Sequence, residues 1–336
     1  MILNDKIWKG LTGGGVRLPH ALLFAGPPGV GKRELAEALA ARLLCEAPRG
    51  AYETACGECP SCLMMANGQH PDYRVLQPEA DSEVEGGEGV ADGDKKKASR
   101  QIRIQQIREL EDFFHVGGHR GGARVCLIDP AEAMNPIVAN SLLKILEEPS
   151  SSFYFIMISH RWRNLLPTLL SRSRRVMFGH PPVEESQRWL AEQKLDHTAR
   201  WLPFFGHAPL ALADAARSGR LKALETLVAD LQRPGDPLAL AVRWEGLVKA
   251  DAALEMEELV VVVQKWLFDL GLSRVGAPPR YFDRQTLEPV AKKAALPALL
   301  RAQQQVGQLR AWANHPLNPK LFLEDLCVRA LKPLNS

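Results

Sequence analysis

Alternating strand and helix signals predict a layered α/β fold for the first half of this chain, and continuous helical patterning predicts an all-α second half. Three observations carry that expectation. Short buried-strand runs alternate with helical segments up to about Phe178, and a Gly/Pro loop sits between the first strand and its helix. Strand signals then vanish after Pro181-Pro182. At 336 residues the chain exceeds one ordinary core and suits two or three domains.

His20-Ala21-Leu22-Leu23-Phe24 reads as a buried strand, followed by the loop from Gly26 to Gly31. The next helix carries Leu35, Leu39 and Leu43 at a spacing of four. Arg124-Val125-Cys126-Leu127-Ile128 predicts a second strand. The helix after it is marked by Asn135 as cap and Pro136 in the first turn, presents Val138, Leu142, Ile145 and Leu146, and stops before Pro149. Residues 153–158 predict a third strand and Val176-Met177-Phe178 a fourth. Residues 79–99 are rich in Glu, Asp, Gly and Lys with little to bury, which predicts a disordered surface insertion. An acidic decoy for a basic partner is the competing reading of that stretch. Short helices over 179–208 suggest a small helical lid. Beyond it, helices are expected over 210–231, 254–270, 297–312 and 319–331. Residues 259–270 are apolar almost all round, with Trp266 and Phe268, and suit the centre of a bundle or a subunit contact.

The totals exclude several classes. An apolar fraction of 46% with 24% charged residues is that of a globular protein. The first eleven residues mix Asp5, Lys6 and Lys9 with apolar side chains, unlike a signal peptide, and no apolar run, 259–263 included, is long enough to cross a bilayer. The expectation is a cytoplasmic protein without membrane contact. A net charge of +3 permits nucleic-acid contact without arguing for a dedicated DNA-binding domain.

Gly26-Pro27-Pro28-Gly29-Val30-Gly31-Lys32 fits the first seven positions of the phosphate-loop (P-loop) pattern, in which backbone N–H groups cradle phosphate and Lys32 supplies charge. The eighth position should be Ser or Thr, to ligate magnesium; it is Arg33, which has no acceptor. Asp129 follows the second strand and suits a place near a metal, but its neighbour, where a water-polarising acid is wanted, is Pro130, with Glu132 two residues further on. The loop therefore admits nucleotide binding, with ATP and magnesium open to question, and argues against independent hydrolysis. A loop that merely joins strand to helix is the alternative.

Four of the six cysteines crowd together as Cys45, Cys56, Cys59 and Cys62, giving C-x10-C-x2-C-x2-C. Four thiolates complete a tetrahedral zinc site with no open position, so the expected role is structural. An iron–sulfur run would need a further cysteine where Ala66 stands. Cys126 and Cys327 read as core.

Taken together these pieces resemble the bacterial clamp-loader subunits of DNA polymerase III, members of the AAA+ family. The family's helix N-x-L-L-K-x-L-E-E-P is matched by Asn140-Ser141-Leu142-Leu143-Lys144-Ile145-Leu146-Glu147-Glu148-Pro149, and its S-R-C by Ser171-Arg172-Ser173. Ser159 lies where a polar sensor follows the strand. The resemblance is strong over 19–178 and weak through Gly206-His207-Ala208-Pro209-Leu210, where a lid arginine is missing. It implies an α/β P-loop (AAA+) parallel-sheet domain over 1–178 with a zinc module at 45–62, a helical lid at 179–208 and an all-α C-terminal collar domain at 209–336. It also implies a nucleotide site at Gly26, Gly29, Gly31, Lys32, Asp129 and Ser159, degenerate at Arg33 and Pro130. Arg172 would act in trans on a neighbour's ATP, which points to a stator rather than a motor. The implied partners are the gamma/tau motor subunits, the delta subunit, the sliding clamp and, through the complex, primed DNA. No carboxylate set for nucleotide addition is found, so the chain would belong to a polymerase complex without a polymerase site. Arg103 and Arg108 could face DNA or be plain surface charges. An active motor or helicase loader would need Arg33 and Glu132 to do unusual work. A zinc-dependent nucleic-acid module would want basic residues in 52–70, which holds Glu53 and Glu58 and no Lys or Arg.

Overall fold

The computed structural model describes residues 4–13, 18–79, 101–109, 113, 122–147, 152–250, 254–313 and 318–334. Residues 80–99 of the expected insertion, and Glu148 and Pro149 of the helix motif, lie outside them. The chain divides into two compact units, Met1–Trp189 and Leu190–Ser336.

The first unit holds α1 (Asp5–Thr12), β1 (Ala21–Ala25), α2 (Lys32–Leu44), α3 (Pro60–Ala66), β2 (Tyr73–Leu76), α4 (Ile104–Arg108), β3 (Arg124–Ile128), α5 (Pro136–Glu147), β4 (Phe153–Ser159), α6 (Pro167–Arg172) and β5 (Arg174–Met177). Helix α7 (Val183–Glu192) crosses the boundary between the units. The five strands form one parallel sheet in the order β2-β3-β4-β1-β5. All residues of β1 and β3 are buried, as expected for strands covered on both faces. The apolar core joins Leu23, Cys126 and Phe155 of the sheet to Ile107 of α4 and to Val138 and Leu142 of α5. Asn135 caps α5, its side-chain oxygen accepting the Val138 N–H at 3.0 Å.

The sequence reading missed β2. Tyr73–Leu76 is a short edge strand whose Arg74 and Val75 are exposed, so it shows no apolar run. The fourth expected strand is displaced, running from Arg174 to Met177, again at an edge with exposed arginines. On α2 the buried set is Leu35, Ala36, Leu39, Ala40 and Leu44, with Leu43 only partly covered, because a strict spacing of four drifts around a helix of 3.6 residues per turn.

The second unit is helical. A 3₁₀ segment (Asp196–Phe205) precedes α8 (Pro209–Arg217), α9 (Arg220–Gln232), α10 (Pro237–Lys249), α11 (Met256–Arg274), α12 (Arg284–Ala291), α13 (Leu296–Arg310) and α14 (Pro319–Leu331). The single helix expected over 210–231 is broken by Gly219, whose φ of 82° leaves the right-handed helical region. Helix α11 buries Leu259, Val263, Trp266 and Leu270 and packs against α9, α12, α13 and α14, which explains its apolar circumference. Its Asp269 is fully buried and accepts the N–H groups of Arg280 (2.9 Å), Tyr281 (2.7 Å) and Phe282 (2.9 Å), pinning the approach to α12. Among the described residues no helix is long and apolar enough to cross a membrane.

Candidate functional sites

The phosphate loop leaves β1 at Gly26, whose N–H donates to the Ser159 carbonyl at the end of β4 at 3.2 Å. A side chain at Gly26 would collide with the Phe178 carbonyl. Gly29 and Gly31 hold φ of 70° and 90°, the left-handed turns a cradle of N–H groups needs. Lys32 opens α2 and is 3% exposed; its Nζ donates to the carbonyls of Gly26 at 2.8 Å and Pro27 at 2.5 Å. Burial lowers its pKa to about 8, against the pull of Asp129 and Glu132.

Arg33 fills the position where a hydroxyl was wanted. Its guanidinium pairs with Glu37 at 2.9 Å and Asp129 at 3.6 Å and donates to Gln77 Oε1 at 3.2 Å. Burial raises the Asp129 carboxyl to about 6, opposed first by Arg33 and then by Lys32. Glu132 is held through one of its two carboxylate oxygens, while Oε2 is buried without a hydrogen-bond partner. One carboxylate oxygen accepts the backbone N–H groups of His160 (2.8 Å) and Arg161 (3.1 Å) and clamps the end of β4. Ser159 is fully buried and its hydroxyl has no hydrogen-bond partner, as a group held for a ligand would be. The loop thus keeps its phosphate cradle, but these residues do not fit magnesium: the ligating hydroxyl is gone and a cation already faces Asp129.

The four cysteines expected to hold zinc come together in space. The sulfur atoms of Cys45, Cys56, Cys59 and Cys62 lie within 4.8 Å of one another. Backbone N–H groups point at the sulfurs, from Cys56 to Cys45 (3.4 Å), Cys59 to Cys56 (3.3 Å) and Cys62 to Cys59 (3.4 Å), which supports thiolates as metal ligands. The donor set fits zinc. The cluster is roofed onto the first unit by residues the sequence reading did not single out. Ser61 Oγ donates to the Leu44 carbonyl at 2.6 Å and lies 2.6 Å from His70 Nε2, while His70 Nδ1 accepts the Asp72 N–H at 3.0 Å. Arg42 of α2 donates to the carbonyls of Gly50 (2.6 Å) and Glu53 (2.5 Å). A short polar motif beside a cysteine run is the only sequence signal these residues offer.

Arg172 ends α6 and is exposed, with its side chain 37% accessible. It pairs with Glu147 of α5 at 2.6 Å and donates to the Thr168 carbonyl at 3.4 Å. It is not drawn to the chain's own loop. Arg103 and Arg108 are both exposed, and Arg103 pairs with Glu79 at 3.0 Å.

A family model described as DNA polymerase III, delta subunit, matches residues 14–182. The chain is 37% identical over 252 residues to the DNA polymerase III subunit delta' of Pseudomonas aeruginosa, covering 73% of this chain and 71% of that protein. To the corresponding Yersinia pestis subunit it is 30% identical over 302 residues, covering 87% and 82%. The DNA polymerase III subunit tau of Salmonella typhimurium is 28% identical over 249 residues, 73% of this chain and 35% of that protein.

Proposed function

This chain belongs to the delta-prime family of DNA polymerase III clamp-loader subunits, and from that premise we propose that it acts as a stator lending Arg172 to the ATP of a neighbouring motor subunit. The observation that carries this reading is the contrast between its two arginines. Arg33 pairs with Asp129 at the chain's own loop, whereas Arg172 stands exposed at the end of α6 beside Glu147.

An arginine presented in this way stabilises charge that develops on a γ-phosphate during transfer, an effect worth about 10³ to 10⁵ in rate where it has been measured in GTPases. Arg rather than Lys suits the task, because its planar fork holds two phosphate oxygens at once. The chain's own hydrolysis is argued against by Arg33 in place of the magnesium-holding hydroxyl and by Pro130 in place of the water-polarising acid, with Glu132 tethered by one oxygen to backbone N–H groups. In this reading the cysteine module carries structural zinc and stiffens a contact surface. The helices from α8 onward serve as the collar that joins the ring, and 179–208 as the lid. The gamma/tau subunits, the delta subunit, the sliding clamp and primed DNA are its partners, at a cytoplasmic, nucleoid-associated replisome.

The test is ATP turnover by a complex reconstituted from the motor and delta subunits, clamp, primed DNA and this chain, with wild type or Arg172→Ala. A sharp loss with the variant and silence from the chain alone are expected. Unchanged turnover with Arg172→Ala, or hydrolysis by the lone chain, refutes the assignment.

A further inference from the structure

We propose that the Arg33 guanidinium takes the place of the divalent cation in the phosphate loop, so that the loop binds a nucleoside di- or triphosphate with an affinity independent of magnesium.

In a P-loop whose lysine is followed by Ser or Thr, the hydroxyl holds a magnesium ion that bridges phosphate oxygens to an acidic residue. Here both ends of that bridge are met by one side chain. Arg33 follows Lys32, and its guanidinium lies 3.6 Å from Asp129 Oδ2, the carboxylate at the end of β3. Glu37 and Gln77 fix its orientation from α2 and from beyond β2. A guanidinium is a permanent cation with N–H donors suited to phosphate oxygens, so it supplies the charge that the metal would supply. A divalent ion placed against Asp129 would meet that cation at contact range and would have no hydroxyl to ligate it.

Two further observations point to an anionic ligand, and a third gives space for its uncharged part. Gly29 and Gly31 hold the left-handed backbone of a phosphate cradle at the start of a thirteen-residue helix. The Ser159 hydroxyl is fully buried without a partner on the strand whose carbonyl receives the Gly26 N–H. Beside the loop lies a groove of about 620 Å³ whose lining includes Ile7, His180 and Pro181 together with the acids Asp5, Glu184 and Glu185, so it suits the uncharged part of a ligand and not its phosphates. Asn4 is shared between the two, because its amide donates to the Val30 carbonyl in the loop at 2.8 Å. The groove has room for a base and sugar while the cradle takes the phosphates. The inference does not depend on the role of Arg172.

Titration calorimetry of the full chain with ADP and with ATP tests this. It requires buffer stripped of divalent ions over a chelating resin, with and without added magnesium; a soluble chelator is avoided so that the cysteine cluster keeps its metal. The expected result is a Kd equal within about twofold in the two buffers. Arg33→Thr, checked for folding by circular dichroism, should weaken binding in the stripped buffer and introduce at least a tenfold preference for magnesium. Binding by the wild-type chain that requires magnesium overturns the proposal. So does the absence of binding in both buffers at millimolar nucleotide, which would make Arg33 a plug.

Discussion

Removing the metal from the cysteine module should unfold that module and leave the sheet intact. Between Cys45 and His70 only Ser61 and Cys62 are buried among the described residues, while Tyr52 and Leu63 are more than half exposed. Burying one apolar side chain contributes about 1.5–3 kcal/mol, and ordering each residue's backbone costs about 1–2 kcal/mol. More than twenty residues held with so little apolar cover need another source of stability. Zinc bound by four thiolates contributes about 10–16 kcal/mol, more than any single side chain in the module can. The contacts that tie the module down, from Ser61, His70 and Arg42, are hydrogen bonds worth about 1 kcal/mol each and cannot replace it. The assay is amide hydrogen exchange followed by mass spectrometry, before and after zinc is withdrawn by a chelator, with the released metal counted colorimetrically. About one zinc per chain is expected. Peptides within 46–69 should lose protection while those over β1, β3 and β4 keep it. Unchanged protection in 46–69 once the metal is shown to be gone would refute the reasoning, as would a chain purified without chelator that holds no zinc.

Three other outcomes follow from the same geometry. Glu147→Gln removes an exposed ion pair worth about 0–1 kcal/mol, so turnover of the reconstituted complex should change by less than about fivefold; a loss matching that of Arg172→Ala would show that Glu147 does more than tether the arginine. Asp269→Ala strands three N–H groups around a buried carboxylate position, and urea unfolding should report a destabilisation of about 3–5 kcal/mol, where a value under 1 kcal/mol would contradict that role. Lys265 donates to the Phe204 carbonyl and lies 5.2 Å from the Tyr281 ring centre, and burial lowers its pKa from 10.5 to about 8, with Arg310 reinforcing the shift. Between those values the folded chain holds fewer protons than the unfolded one, so this residue makes stability rise with pH from about 8 to 10.5. Lys265→Met should flatten that slope in denaturation curves taken across the window, and an unaltered slope would place the titration elsewhere.

What could be read from the sequence divides along a physical line. β1, β3 and β4 are continuous apolar runs because helices cover both faces of the sheet, so each announces itself locally. Edge strands β2 and β5 carry Arg74, Arg174 and Arg175 and look like loops until their neighbours are known. Helix α10 begins with Asp236 capping the Ala239 N–H at 2.8 Å and Pro237 in its first turn, a legible start that lies outside the helices expected from periodicity. The cysteine cluster was readable because its four thiols stand at short spacing in the chain. The pairing of Arg33 with Asp129 was not, because it joins distant parts of the chain and exists only once β1, β3 and β4 lie in register. The same holds for Ser61 with His70 and for the Asp269 nest, where ordinary polar residues acquire a function from whatever packs around them.

Gly26 sits under the Phe178 carbonyl, and the Phe178 N–H in turn donates to Ala25 at 2.8 Å. The opening of the loop and the end of β5 are thus stitched into one joint, with the Lys32 ammonium as a strut beneath it. Mutational drift at this site is channelled by mechanics. The sheet can tolerate a new side chain at position 33, which faces outward to Glu37 and Asp129, but it has no room for one at position 26. The frame therefore accepts a change of charge at position 33 and refuses any added bulk at position 26.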